Sequence, residues 1–153
     1  MEKDIINLIL EQYGETLIND YRRELYDGGT NCTGRLSNSL RYIIESDEDV
    51  FDLYLALEDY WKYVEYGRQP GRFPNISAIE QWIKDKPVIP QPFNGKVPSI
   101  KQLTYLISRK IANEGIQPKN YLQNALDQID LKPLEDAITR AIESKLDDTL
   151  EEL

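Results

Sequence analysis

Apolar residues in the first part of the chain recur every four positions. Ile5, Ile9, Tyr13, Leu17, Tyr21 and Leu25, flanked by Ile6, Leu10 and Ile18, draw one broad stripe on a helical projection. This spacing predicts a helix over 4–26. Asp27-Gly28-Gly29 should end it, because glycine accepts the left-handed backbone found at helix C-termini. The period then drops to two. Leu40, Tyr42 and Ile44 alternate imperfectly over 39–46. Over 50–57, Phe51, Leu53, Leu55 and Leu57 face one way and Asp52, Tyr54 and Ala56 the other. With the polar Asp47-Glu48-Asp49 between them, these segments predict a β-hairpin with one buried face.

The second half reads as helices separated by proline and glycine. A short helix is predicted from Asp59 to Tyr66, ended by Gly67, with a proline-bearing loop through Pro74 after it. Ser77 and Glu80 have capping-box spacing, which predicts a helix through Lys86 that buries Ile79, Trp82 and Ile83. Trp82 and Ile83 are the candidate core anchors. Pro87, Pro90 and Pro92 make 87–98 an irregular loop. Ser99 and Gln102 repeat the capping box for a helix with Leu103, Leu106, Ile107 and Ile111 on its apolar face and Gly115 at its end. Pro118 is read as opening the next helix, lined by Leu122, Ala125, Leu126 and Ile129. Over 131–153, Leu131, Leu134, Ile138, Ile142, Leu146, Leu150 and Leu153 are spaced by threes and fours, and the other faces are charged. This amphipathic C-terminal helix is expected to pack on the domain or on another subunit. The expected architecture is a single α+β domain over 1–153, in which a small antiparallel sheet packs with a long N-terminal helix and several C-terminal helices.

Composition narrows the chemistry. A chain of 153 residues is long enough to close one core. Its one cysteine, Cys32, excludes an intrachain disulfide and a Cys-rich zinc site, and the absence of histidine removes Ser-His-Asp and Cys-His catalysis and His-ligated metals. No stretch reaches the roughly 20 apolar residues of a membrane span, and Met1-Glu2-Lys3-Asp4 lacks the basic start of a secretory signal. No catalytic residue, cofactor or metal is assigned, and the composition leans away from an enzyme.

Three sites fail on their own requirements. Asp47-Glu48-Asp49 lacks the glycine and glutamate of a calcium loop. Gly67-Arg68-Gln69-Pro70-Gly71-Arg72 lacks the Gly-Lys-Ser/Thr ending of a phosphate loop. Glu58, Asp59 and Glu65 lie near aromatics, but an acid–base pair for glycoside chemistry needs a set separation across a cleft, which sequence does not give.

Charge changes the picture further. The chain has net charge −9, but residues 1–59 hold 5 basic and 14 acidic side chains, 60–122 hold 10 and 4, and 123–153 hold 3 and 9. A basic centre between acidic ends suits electrostatic pairing within a chain or between copies; the plainer alternative is solvated faces that differ in sign. The same centre keeps a nucleic-acid-binding adaptor as the second functional reading. Arg68, Arg72, Lys84, Lys86, Lys96, Lys101, Arg109 and Lys110 lie near Tyr63, Tyr66, Phe73 and Trp82, a mixture that grips phosphates and stacks bases. The overall negative charge opposes it at long range.

Three segments, in order, carry a resemblance. Thr33-Gly34-Arg35-Leu36-Ser37-Asn38-Ser39-Leu40 resembles the TGxLxxS element that follows an N-terminal helix in tail-component proteins of tailed bacteriophages. Tyr63-Val64-Glu65-Tyr66-Gly67-Arg68 is similar to that family's YVExG element, and Tyr121-Leu122-Gln123-Asn124-Ala125-Leu126 to its FLxxAL element. The Trp82-Ile83 helix and the following helix resemble the insertion that some members carry between the last two. The chain departs from the pattern at Asn120-Tyr121, where Pro-Phe is usual, and at Asn124, where a second proline is common. The resemblance implies a tail-completion or head–tail connector (neck) protein of the virion, assembled in the host cytoplasm. It also implies a homo-oligomeric ring of six or twelve copies that meets other neck, portal-adaptor or tail-tube proteins. Gly34 and Gly67 are then the structural turns beside the sheet. Arg35, Arg41, Glu65, Arg68 and Arg72 are the candidate subunit-interface residues, able to make charge-assisted hydrogen bonds within the fold or between subunits.

Overall fold

The computed structural model describes residues 2–30, 34–47, 50–85, 90–92 and 94–151. The described residues form an α+β fold of seven helices and one two-stranded antiparallel sheet. Helix α1 (Glu2–Asp27) is long and carries the core on one side: Ile6, Leu10, Leu17, Ile18, Tyr21 and Leu25 are buried. Ile5, included in the expected stripe, lies outside it and is exposed. The helix ends as its glycines dictate. Gly29 turns left-handed at φ 66°, its amide bonds the Tyr26 carbonyl, and the Thr30 amide bonds the Leu25 carbonyl. That pair of bonds is the Schellman arrangement.

Helix α2 (Arg35–Ser39) starts from Gly34, which is left-handed at φ 70°. It drives Leu36 and Leu40 into the core beneath α1. Strands β1 (Arg41–Ser46) and β2 (Phe51–Ala56) then pair with Tyr42 opposite Leu55 and Ile44 opposite Leu53. In this register Tyr42, Ile44, Leu53 and Leu55 share the half-buried face, as the alternation predicts, while Ile43 and Tyr54 pair on the exposed face. The side of Gly14 on α1 fits against the Tyr42 ring, where a Cβ would come within 2.6 Å. The expected polar tip and Cys32 fall largely outside the described residues; the Asp47 amide bonding the Val50 carbonyl closes the hairpin.

Helix α3 (Trp61–Tyr66) ends at Gly67, φ 69°. Two helices follow as an excursion, α4 (Ile76–Asp85) and α5 (Ile100–Glu114), which pack on each other. The chain then returns for α6 (Tyr121–Asp127), which packs on α1 and α3, and α7 (Lys132–Glu151), which packs on α1. The main buried cluster joins Leu17, Ile18, Tyr21 and Leu25 of α1 to Leu36, Leu40, Tyr121 and Ala125. No residue of α4 or α5 belongs to it.

Several boundaries differ from expectation. Helix α4 starts at Ile76, and its cap is Asn75, whose side-chain oxygen accepts the Ala78 amide; Ser77 therefore lies inside the first turn, and Glu80 pairs with Lys84. That phase buries Ile83 at 5% exposure, apart from the main cluster, but leaves Trp82 at 40%, so Trp82 is not the buried anchor expected of it. The Ser99–Gln102 capping box of α5 is present in both directions. Its buried row, however, is Thr104, Ser108 and Ala112, and Leu106 is exposed. Helix α6 begins three residues after Pro118, from a left-handed Asn120 at φ 54°.

Candidate functional site

The second and third of the segments that carry the resemblance meet at Glu65. Its side chain is 2% exposed, and its two carboxylate oxygens accept the Leu122 and Gln123 amides at 2.8 and 3.0 Å. Helix α6 has no side-chain cap of its own, since left-handed Asn120 makes none. The free N–H groups of its first turn are instead satisfied by a carboxylate from α3, where the helix dipole also favours negative charge. Backbone bonds from Lys119 to the Val64 carbonyl and from Asn120 to the Glu65 carbonyl fasten the same junction. Glu65 is thus an internal cap. Its burial removes it from the candidate subunit-interface residues.

Tyr121, beside the cap, is buried and reaches the end of α1. Its hydroxyl donates to the Gly28 carbonyl at 3.3 Å and lies 3.3 Å from the Thr30 hydroxyl. A Cβ on Gly28 would come within 1.8 Å of that hydroxyl, so this approach requires glycine. Across the cluster, the Tyr21 hydroxyl is buried without a hydrogen-bond partner among the described residues. Burial, and then the neighbouring Glu65 carboxylate, hold its ionisation well above the ordinary tyrosine range. The hydroxyl stays protonated. From the first segment, Leu36 and Leu40 enter this cluster, and Arg22 on α1 donates to the Ser37 carbonyl at 2.9 Å.

The second feature is a neck. Arg68 and Ile116 form a two-residue antiparallel bridge, each amide donating to the other's carbonyl at 2.8 Å. The bridge closes the α4–α5 excursion into an arm whose two ends leave the body side by side. Gly67 and Gly115 precede the bridge on the two strands, at φ 69° and 74°. A Cβ on Gly67 would lie 2.1 Å from the Ile116 carbonyl oxygen, and one on Gly115 2.2 Å from that of Arg68. Gly71 adds a bond to the Ala112 carbonyl at the end of α5. Gly67 therefore does more than end α3, and its counterpart Gly115 was read from sequence only as a helix stop. The matched pair of Gly-Arg and Gly-Ile steps flanking the insertion is the sequence signal for the neck.

The candidate arginines divide between these features. Arg68 donates to the Arg72 and Phe73 carbonyls at 3.2 and 3.1 Å, so its guanidinium shapes the first loop of the arm. Arg72 is exposed in that loop, beside Phe73, whose ring stacks on Tyr105 with centroids 6.1 Å apart. Arg35 and Arg41 are exposed on the body. Arg41 borders an open cleft of about 550 Å³ with Ser39, Leu57, Glu58, Asp59 and Trp61. Gly34 is left-handed, at φ 70°, at the start of α2. Among the described residues no group of three or more potential ligands is arranged to hold a metal ion, and no helix is long and apolar enough to cross a membrane. No family model, curated protein or solved structure matches the chain.

Proposed function

We propose that the chain is a virion structural protein, a tail-completion or head–tail connector (neck) subunit that works by assembling into a homo-oligomeric ring. The observation that carries this reading is the junction at Glu65. The TGxL-, YVExG- and FLxxAL-like segments are far apart in sequence, yet Leu36, Leu40, Tyr121 and Ala125 share one buried cluster and Glu65 caps the helix of the third segment. That the three segments supply parts of one buried joint supports the reading. Such a protein acts through surface fit. The expected partners are further copies of the chain and neighbouring neck or tail proteins.

Electron microscopy of the purified protein, alone and with neck or tail components, tests the reading. Annular particles of uniform diameter are expected, and a chain that stays monomeric with every such component overturns it. The second reading, a nucleic-acid-binding adaptor, draws on one feature of the fold: Arg72, Phe73 and Tyr105 lie together on the exposed surface of the arm. It requires tight duplex binding at physiological salt that weakens steeply as salt rises.

A further inference from the structure

The charge blocks of the sequence fall on separate parts of the fold. Residues 67–116, the arm with its neck, hold eight basic and three acidic side chains, net +5, and the rest of the chain holds ten and twenty-four, net −14. Each part also leaves aliphatic surface uncovered. On α5, Thr104, Ser108 and Ala112 are buried, and on the opposite side Leu106 is 52% exposed beside Arg109 and Lys110, its neighbours one turn on. On α7, Leu134, Ala137, Ala141 and Ser144 are half-buried along one side. Next to them Ile138, Ile142 and Leu146 form an exposed row at four-residue spacing, Ile142 at 54% and Leu146 at 58%. Glu135 and Glu143 lie along one edge of that row and Lys145 along the other, and α7 as a whole holds six acidic and three basic side chains. The apolar arc of α7 is wider than α1 covers.

The two surfaces are complementary and of opposite sign: an exposed leucine beside two cations on the arm, one of which, Lys110, also lies 3.9 Å from Glu114, and an aliphatic row beside carboxylates on α7. Within one chain α4 and α5 pack on each other and α7 packs on α1. We propose that the Leu106–Arg109–Lys110 face of one copy seats on the Ile138–Ile142–Leu146 row of a second copy, with the two cations opposite Glu135 and Glu143. The proposal rests on the self-assembly reading above and names the surfaces that carry it. Burial of the aliphatic residues supplies the cohesion. The charges set register and association rate, and they oppose arm-on-arm and α7-on-α7 pairing, where like charges would face each other. Because the two faces differ, every copy offers one of each, and repetition generates a ring or a filament according to the rotation between copies.

Two charge reversals test this: Arg109→Glu with Lys110→Glu on the arm, and Glu135→Lys with Glu143→Lys on α7. All four positions are exposed, and circular dichroism checks that each variant folds. Sedimentation velocity reads the mass of wild type, each variant, and their equimolar mixture. Wild type is expected to associate, and each variant alone to associate at least about tenfold more weakly, the order of cost for like charges placed face to face. The mixture is expected to recover, because each variant's faces complement the other's. Leu106→Ala with Ile142→Ala should weaken association without changing charge. An arm variant that associates like wild type means that α7 pairs with α7, and an α7 variant that does so means that arms pair with arms; either result overturns the proposal. So does a wild type that remains monomeric, or an arm that binds duplex DNA without self-association. Association in the expected pattern without annular particles keeps this contact and removes the ring. Annular particles that persist in both variants remove this contact and keep the ring.

Discussion

Among the described residues Tyr21 is one of the most buried side chains, and its hydroxyl has no hydrogen-bond partner. Burial and the Glu65 carboxylate both favour the neutral phenol in the folded state, while the unfolded chain ionises near the ordinary value of 10.0. The folded chain therefore holds this proton more tightly than the unfolded one. The linked stability is fully present below that value and is lost as pH rises above it. Tyr21→Phe should be neutral or stabilising by up to about 1 kcal/mol near neutral pH, because it removes an unsatisfied buried hydroxyl. It should also remove part of the alkaline destabilisation, so that the difference between wild type and variant in urea unfolding is constant below about pH 10 and widens above it. Glu65 behaves in the opposite sense, because both of its oxygens are used. In Glu65→Gln one oxygen becomes an amide that points a donor at a helix N–H, and a loss of about 1–3 kcal/mol is expected in urea unfolding. The cost to a residue at an exposed interface would be much smaller. Glu65 could be singled out from sequence by its place in a motif, but its partner amides lie 57 and 58 residues further on, and a one-dimensional pattern does not show that they meet.

At the scale of elements, the neck makes the firmest prediction. Gly67→Ala and Gly115→Ala each force a side chain into a left-handed backbone and against an opposing carbonyl. Gly29 supplies the control, being left-handed at φ 66° with nothing within 4 Å of an added Cβ. Gly29→Ala should cost about 1–2 kcal/mol, the backbone penalty alone. The neck variants should exceed it, and limited proteolysis should cut the arm sooner in them than in the control. Long periodic elements were legible beforehand: the apolar row of α1, the face of the hairpin, and the Ser99–Gln102 cap are all set by short-range chemistry. The phase of α4 and α5 was not. Asn75 and Ser77 both suit a cap, and the loop before them decides which is used. On α5, Thr104, Ser108 and Ala112 present a smoother surface to α4 than Leu106 would, and close approach of two helices depends on side-chain size as well as hydrophobicity.

At the scale of the whole molecule, charge blocks were visible in the sequence, but their separation into a basic arm and an acidic body needed the neck to be seen. The neck also has a consequence for how the body folds. Capping of α6 by Glu65 joins residues 57 apart, and closing so long a loop in one step carries a large entropic cost. Once Arg68 has paired with Ile116, the effective loop shrinks to about ten residues, which lowers the closure cost by roughly 1.5 kcal/mol on the logarithmic length law. Arg68 and Ile116 are themselves 48 residues apart, so the closure cost moves to the arm, where the packing of α4 on α5 offsets it. Formed before the body closes, the arm would act as a splint: it would bring α6 within reach of Glu65, and the core would close over a distance that the excursion had already shortened.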